Sequence, residues 1–361
     1  MGFSITQFGG GWGNKAGDCC LLTYGKEMDR HTLIDLGQPD SKRNLQSLGI
    51  ERYHELENVI FTHLHQDHIG STKQWQEVVK RSKKIFLPSK TTLTEKLKEI
   101  KDYAELTKTI VFPDEQDSYV LSLDNVDDDL NVTIKFIIPD PKKFKILTYA
   151  EAADPEREDR IENEKSLGCL ITVKDKKNKK WQMLTLGDME AHSANDRILS
   201  LFNDEDKLFV KVIKLPHHGS KNNSMPIIKE LMKQGNITVI SSGFTEATSA
   251  PDLLEKHQLL KNCRGAFYFL GNELWSSLNI NKKLGYDTYI DQLFKSLGKN
   301  SFDILDKVTW NFNSKYRPNG EYKTLMREIK GKSLLDDYRK EKKRKRDEKK
   351  ARERRAKRRK L

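Results

Sequence analysis

Between Val59 and His68 the chain runs from an apolar stretch, Val59-Ile60-Phe61-Thr62, straight into His63-Leu64-His65-Gln66-Asp67-His68. The apolar stretch reads as a strand buried in a sheet. Four potential metal donors (His63, His65, Asp67 and His68) follow within six residues, so the strand ends in a ligand-rich loop. Alternation turns His63, His65 and Asp67 to one side, and His68 joins them as the chain enters a helix near Ile69-Gly70. Any one of these histidines fits a purely structural role; all four residues together fit it poorly. Imidazole combined with carboxylate suits zinc, manganese or iron better than calcium.

Two further clusters repeat the pattern. Met183-Leu184-Thr185-Leu186-Gly187-Asp188 is an apolar strand ending in Gly-Asp, which alone is a common turn. Val212-Ile213-Lys214-Leu215-Pro216-His217-His218-Gly219-Ser220 is a strand ending in a histidine pair and a small-residue turn. Strand ends that carry ligand-type residues in three places predict one shared site, on loops held by a rigid sheet.

Around these clusters, strands are expected over Cys19–Tyr24, Thr32–Leu36, Val59–Thr62, Ile85–Pro88, Val132–Ile138, Leu167–Val173, Trp181–Leu186, Phe209–Leu215, Ile237–Ser241 and Ala266–Leu270. Helices are expected over Thr72–Arg81, Leu93–Glu105, Ala191–Phe202, Met225–Lys233 and Pro251–Asn262. Many strands with interleaved helices indicate a mixed α/β domain with sheets inside and helices outside. Asp124–Asp129 reads as an acidic turn and Asp154–Glu164 as a charged, solvated loop. Residues 276–338 hold several aromatics (Tyr286, Tyr289, Phe294, Phe302, Trp310, Phe312) without a recognisable motif. The organisation expected is a domain over 1–275, an extension of unknown role packed on it over 276–338, and a basic tail over 339–361.

That tail carries the charge. Of the formal +12, the whole excess lies between Arg339 and Lys360, where sixteen Lys and Arg meet four acidic residues; the rest of the chain holds 49 of each sign. Such a segment cannot bury a core, so it is read as disordered or marginally helical. It suits a polyphosphate backbone, where each cationic contact gains affinity by counterion release. A solubilising tail, a dock for an acidic partner and a nuclear-import signal are the alternatives. The four cysteines (Cys19, Cys20, Cys169, Cys263) show no C-x-x-C spacing and read as reduced, buried small hydrophobes. With no apolar run long enough to span a bilayer and no secretory pattern at the N-terminus, a cytoplasmic protein without membrane insertion is expected.

Taken together, the clusters resemble the metallo-β-lactamase superfamily, whose signature is H-x-H-x-D-H. The finer similarity is to the soluble hydrolase domain of the DNA-uptake channel protein ComEC and its free-standing relatives. Lys214-Leu215-Pro216-His217-His218-Gly219-Ser220 reproduces that group's Lys-x-x-His-His-Gly-Ser, with His217 twenty-nine residues after Asp188. Gly17-Asp18-Cys19-Cys20-Leu21-Leu22 resembles its opening Gly-Asp strand, and Leu33-Ile34-Asp35-Leu36-Gly37 its Ile-Asp-x-Gly turn. Asn163 and Ser166 match its Asn-x-x-Ser approach to the next strand. The resemblance covers residues 3 to 275. In two places the chain departs from it: no histidine lies between His68 and Asp188, where the family has a third motif, and Ser249-Ala250-Pro251 replaces a Gly-His-Pro.

The resemblance implies a four-layer αββα sandwich and a centre of two divalent metal ions, zinc or manganese. His63 and His65 would hold one ion, Asp67 and His68 the other, and Asp188 would bridge. One of His217 and His218 would complete the second ion's shell, leaving the other to give a hydrogen bond or proton to the leaving group. Asp67, His217 and His218 are thus the catalytic candidates. Asp35 fits either a partner orienting a ligand histidine or an ordinary turn residue. Ser220 and Lys221 are candidates for substrate phosphate, although Lys221 also fits a solvated loop. The function expected is a phosphodiesterase or nuclease acting on DNA or RNA, with the basic tail aiding binding. The alternatives are a small-molecule hydrolase opening a lactone, lactam or thioester, and a non-catalytic binding protein that engages its partner through the tail.

Overall fold

The computed structural model describes residues 2–9, 17–39, 44–88, 95–105, 109–115, 119–124, 126, 128–140, 162–202, 207–219, 223, 225–233, 237–242, 263–270, 303–316, 322–331, 333, 340 and 343–353. The first eight strands are β1 (Phe3–Phe8), β2 (Cys19–Tyr24), β3 (Arg30–Ile34), β4 (Glu55–Ile60), β5 (Ser82–Phe86), β6 (Thr109–Val111), β7 (Val120–Ser122) and β8 (Leu130–Ile137). The others are β9 (Gly168–Asp175), β10 (Lys180–Thr185), β11 (Val210–Lys214), β12 (Thr238–Ser242), β13 (Ala266–Leu270), β14 (Asp303–Leu305), β15 (Lys307–Tyr316) and β16 (Tyr322–Lys330). Helices α1 (Gln66–Ile69), α2 (Thr72–Arg81), α3 (Glu95–Glu105), α4 (Ala191–Leu199) and α5 (Pro226–Met232) lie between them.

The strands form two eight-stranded sheets, ordered β16-β15-β1-β2-β3-β4-β5-β6 and β14-β13-β12-β11-β10-β9-β8-β7. Each is antiparallel on one side and parallel on the other: pairing turns parallel from β3 to β6 in the first sheet and from β10 to β14 in the second. The central strands are apolar on both faces because both are covered. On β2, Cys20 and Leu22 face the other sheet while Leu21 faces helices; on β10, Met183 faces the other sheet while Leu184 faces helices. Three apolar layers follow from this alternation. One joins the two sheets, one holds α2 and α3 on the first sheet, and one holds α4 and α5 on the second. The four layers stack as the expected αββα sandwich. The parallel halves aim the ends of β3, β4, β10 and β11 at a common edge, where ligands of α/β sheets characteristically bind.

Continuous apolar runs were the legible part, and the strands expected from them are all present with ends shifted by a few residues. Cys19–Tyr24, Ala266–Leu270 and α2 match residue for residue. The helix expected over Pro251–Asn262 lies outside the described residues, as do Tyr286, Tyr289, Phe294 and Phe302. Strands β14, β15 and β16 come from 303–330, beyond the boundary drawn at 275, and complete both sheets. In β15 the signal was a strict alternation, Val308, Trp310 and Phe312, all buried between the sheets. The expectation of a solvated loop over Asp154–Glu164 is corrected at its end. Residues 162–164 are helical, and Glu162 is buried, its carboxylate 3.4 Å from the Lys165 ammonium and accepting a hydrogen bond from Leu64 N. An ion partner and a backbone donor offset the cost of its burial. In the tail, residues 343–353 form an exposed helix.

Trp310 is buried on β15, with its indole N–H donating to Glu328 of β16 at 3.2 Å. Trp310→Ala is expected to cost about 3–5 kcal/mol in urea unfolding. A loss below about 1 kcal/mol, the scale of an exposed-site change, would show that β15 is dispensable to the sandwich.

Candidate metal centre

Four strand ends build the site. After β3, Asp35 turns with φ 55°, its N–H bonded to Ile60 O of the neighbouring strand. β4 is followed by the segment Phe61–His65 and then α1, whose His68 carbonyl accepts hydrogen bonds from Leu36 N and Gly37 N. β10 is followed by Leu186 and Gly187 at φ 50°, where a Cβ would collide with Ser166 Oγ and lie 2.9 Å from Thr62 Oγ1. Only glycine allows the Asp188 turn to close so tightly on these neighbours, and Ser166 Oγ in turn accepts the Asp188 N–H at 2.9 Å. β11 is followed by Leu215 and Pro216, then by His217 (φ 44°) and His218 (φ 54°), with His217 N bonded to Gly187 O.

These turns bring His63, His65, Asp67, His68, Asp188, His217 and His218 to one place. Ligand atoms of Asp67, His68, Asp188 and His218 lie within 4.8 Å of one another, as do those of His63, His65 and Asp67. His218 Nε2 is 3.1 Å from Asp67 Oδ2, and His63 Nε2 is 3.1 Å from His65 Nδ1. Asp188 stands between the groups, with Oδ1 3.2 Å from His68 Nε2 and Oδ2 3.5 Å from His63 Nε2. Of the histidine pair, His218 is buried beside Asp67, whereas His217 has a 31 % exposed side chain with Nε2 3.7 Å from Asp188 Oδ2. Ser220 and Lys221 lie outside the described residues, as does Ser249-Ala250-Pro251.

A second ring of buried groups orients the first. His68 Nδ1 lies 2.8 Å from Asp35 Oδ2, and Asp35 accepts hydrogen bonds from Thr62 N and Thr62 Oγ1 at 2.8 and 2.6 Å. His218 Nδ1 lies 3.5 Å from Asp18 Oδ1, whose other oxygen is 2.6 Å from the buried Lys214 ammonium. Each imidazole is thus backed by a carboxylate, the arrangement that orients metal-binding histidines. For Asp35 the sequence had left this role and that of an ordinary turn residue equally open. The roles of Asp18, Lys214 and Asn223 went unseen, because nothing in their spacing says that β2, β11 and the turn after it meet.

The electrostatics agree with a cation site. Burial works to raise the Asp188 carboxyl, but His217, His68 and His63 outweigh it and hold it well below the usual carboxylate range. Burial likewise opposes ionisation of Asp67 and Asp18, yet His68 and His218 around the first, and Lys214 and His218 beside the second, keep both well below it. Burial disfavours charge on His218, but Asp188, Asp18 and Asp67 raise it to about 9. The atoms His68 Nε2 and Asp188 Oδ1 are buried and face each other without forming a hydrogen bond. A buried polar atom left unmatched costs about 1–3 kcal/mol, and a divalent cation would satisfy both. Imidazole and carboxylate donors of this kind fit zinc, manganese or iron.

No protein-family model matches the sequence, and no curated protein matches it. Among solved structures, a long form RNase Z from yeast is 11 % identical with a TM-score of 0.38; the match covers 79 % of this chain and 44 % of that one. A protein described as a metal-dependent hydrolase from Parabacteroides distasonis is 11 % identical with a TM-score of 0.32, over 79 % of this chain and 88 % of that one. The metallo-β-lactamase MIM-1 from Novosphingobium pentaromativorans is 13 % identical with a TM-score of 0.28, over 80 % and 94 %.

In the metal-free protein the raised His218 adds stability that is complete below its unfolded value, near 6.5, and fades as pH rises through about 9. Thermal unfolding of chelated protein is therefore expected to show a falling Tm across that window, and added zinc, by replacing the proton, to abolish the fall. A chelated protein equally stable at both ends would contradict the charge arrangement.

Proposed function

We propose that the chain is a metal-dependent phosphodiesterase acting on nucleic acid. The observation that carries the reading is Asp188, a buried carboxylate with one oxygen toward His68 and the other toward His63, between two groups of donor atoms. His63 and His65 would serve one divalent ion, and Asp67, His68 and His218 the other. A bound pair of ions supplies a water ionised near neutral pH and offsets the negative charge of a transferring phosphoryl group. The chain's own part is to hold these donors still. Asp35 and Asp18 fix the two imidazoles behind them, and Thr62 and Lys214 fix those carboxylates. Asp67, 18 % exposed, and the more exposed His217 mark the open side, where substrate would approach.

Nucleic acid is favoured over a small ester by the exposed helix at 343–353, which carries seven Lys or Arg against three acidic residues. It lies within a tail whose net charge is the whole excess of the chain. Such a surface binds polyphosphates through released counterions. No helix among the described residues is long and apolar enough to cross a membrane.

Purified protein with manganese or zinc is expected to cleave single- or double-stranded DNA or RNA. Orienting partners of metal ligands are worth about 10–100-fold, so His63→Ala and Asp188→Ala, which remove donors themselves, should each lose at least about 100-fold, as should chelation. Full cleavage by either variant would remove this mechanism, and turnover of a lactone or thioester without nucleic-acid cleavage would replace it. Deleting residues 339–361 should weaken binding to long nucleic acid. The slope of log K against log salt should fall by about 0.7–0.9 for each phosphate that the tail neutralises, with a small phosphodiester still hydrolysed. An unchanged slope would assign the tail another task.

A further inference from the structure

The two-ion reading leaves one side short of donors. Asp67, His68, Asp188 and His218 gather together, while His63 and His65 share only Asp67, and no histidine between His68 and Asp188 can serve them. His217 approaches this poorer side. Its Nε2 lies 3.7 Å from Asp188 Oδ2, the same oxygen that His63 Nε2 meets at 3.5 Å, whereas Asp188 Oδ1 faces His68.

The backbone explains how neighbours in sequence can serve different ions. Successive residues of a strand point to opposite faces, so an extended His217-His218 would send one imidazole away from the site. Instead both residues are left-handed, at φ 44°, ψ 48° and φ 54°, ψ 18°. This conformation costs about 1–2 kcal/mol per non-glycine residue. The turn leaves the two rings 5.9 Å apart between centroids and 71° out of plane, His218 against Asp67 and His217 against Asp188.

A hydrogen-bond network fixes which nitrogen His217 presents. Asn223 Nδ2 donates to the carbonyls of Asp188 and Met189 at 2.9 and 2.7 Å, so the amide oxygen is the atom 3.1 Å from His217 Nδ1. A reversed amide would set oxygen against two carbonyl oxygens. Since Asn223 Oδ1 only accepts, Nδ1 of a neutral His217 carries the hydrogen and Nε2 keeps the lone pair. That lone pair faces a carboxylate oxygen, a repulsive pairing that either a proton or a metal cation between them relieves, and Nε2 is thereby the nitrogen turned to the site.

We propose that His217 is the third imidazole of the His63–His65 ion, in place of the missing third-motif histidine, and that Asn223 is the residue that positions it. The inference rests on the two-ion reading above. His217→Asn tests it, removing the imidazole but keeping a side chain that tolerates left-handed backbone. Metal content after dialysis and competitive zinc titration are the readouts. Wild-type protein should retain two ions per chain and His217→Asn one, bound as tightly as the tighter wild-type ion. Asn223→Ala should weaken the more loosely held ion by about 10–100-fold, and ¹⁵N shifts of the chelated protein should show His217 changing from one tautomer to a mixture. Loss of neither ion, or of both, by a folded His217→Asn protein overturns the assignment. If that variant does not fold, Asn223→Ala decides, and unchanged zinc affinities there overturn it. Wild-type protein that retains no ion refutes the two-ion reading itself, whatever the variants do.

Discussion

The Asp188 carboxylate is the point on which the site turns. It projects from the second sheet and meets imidazoles that come from the first, so the two halves of the sandwich are joined by charge as well as by apolar packing. Its position depends on Gly187, which lets the turn press against Ser166 and Thr62, and on Asn223, which holds the Asp188 and Met189 carbonyls. A carboxylate buried this far needs positive charge close by. Among the surrounding imidazoles, His68 and His218 are pushed toward the charged form by these carboxylates, and a divalent ion would also satisfy the facing atoms that form no hydrogen bond.

The same trade recurs behind the donors. Asp35 and Asp18 are buried carboxylates, each beside a ligand-type histidine. They are stabilised by different means: Asp35 by a hydroxyl and a backbone N–H of Thr62, Asp18 by the Lys214 ammonium. Asp35, His217 and His218 also hold left-handed backbone without being glycine. Strain of this kind survives where surrounding contacts over-determine it, and it concentrates at functional sites. Here the hydrogen bonds of Thr62, Gly187 and Asn223 are those contacts.

Much of the sandwich could be read in advance because its inner strands are apolar on both faces. Cys19–Tyr24 and Ala266–Leu270 needed no tertiary knowledge, nor did the runs that lead into His63 and Asp188. Strands β1, β6, β7 and β14 to β16 were missed. They are short, lie at or near the sheet edges, or alternate with polar residues, so their signal is weaker. The charge of Glu162 suggested solvent, yet its carboxylate is buried beside Lys165 and the Leu64 amide, which no local pattern announces.

Sequence alone picked out the candidate donors, because four ligand-type residues packed into six positions stand out, as do Gly-Asp and His-His at two other strand ends. It also determined the separation of a charge-balanced body from a cationic tail. Which donors stand together was decided only in three dimensions. Periodicity places a side chain on a face of its own strand but does not say which strand end lies opposite. For that reason the partition of His217 and His218, and the pairing of Asp18 with Lys214 and of Asn223 with His217, appear only once the two sheets are stacked.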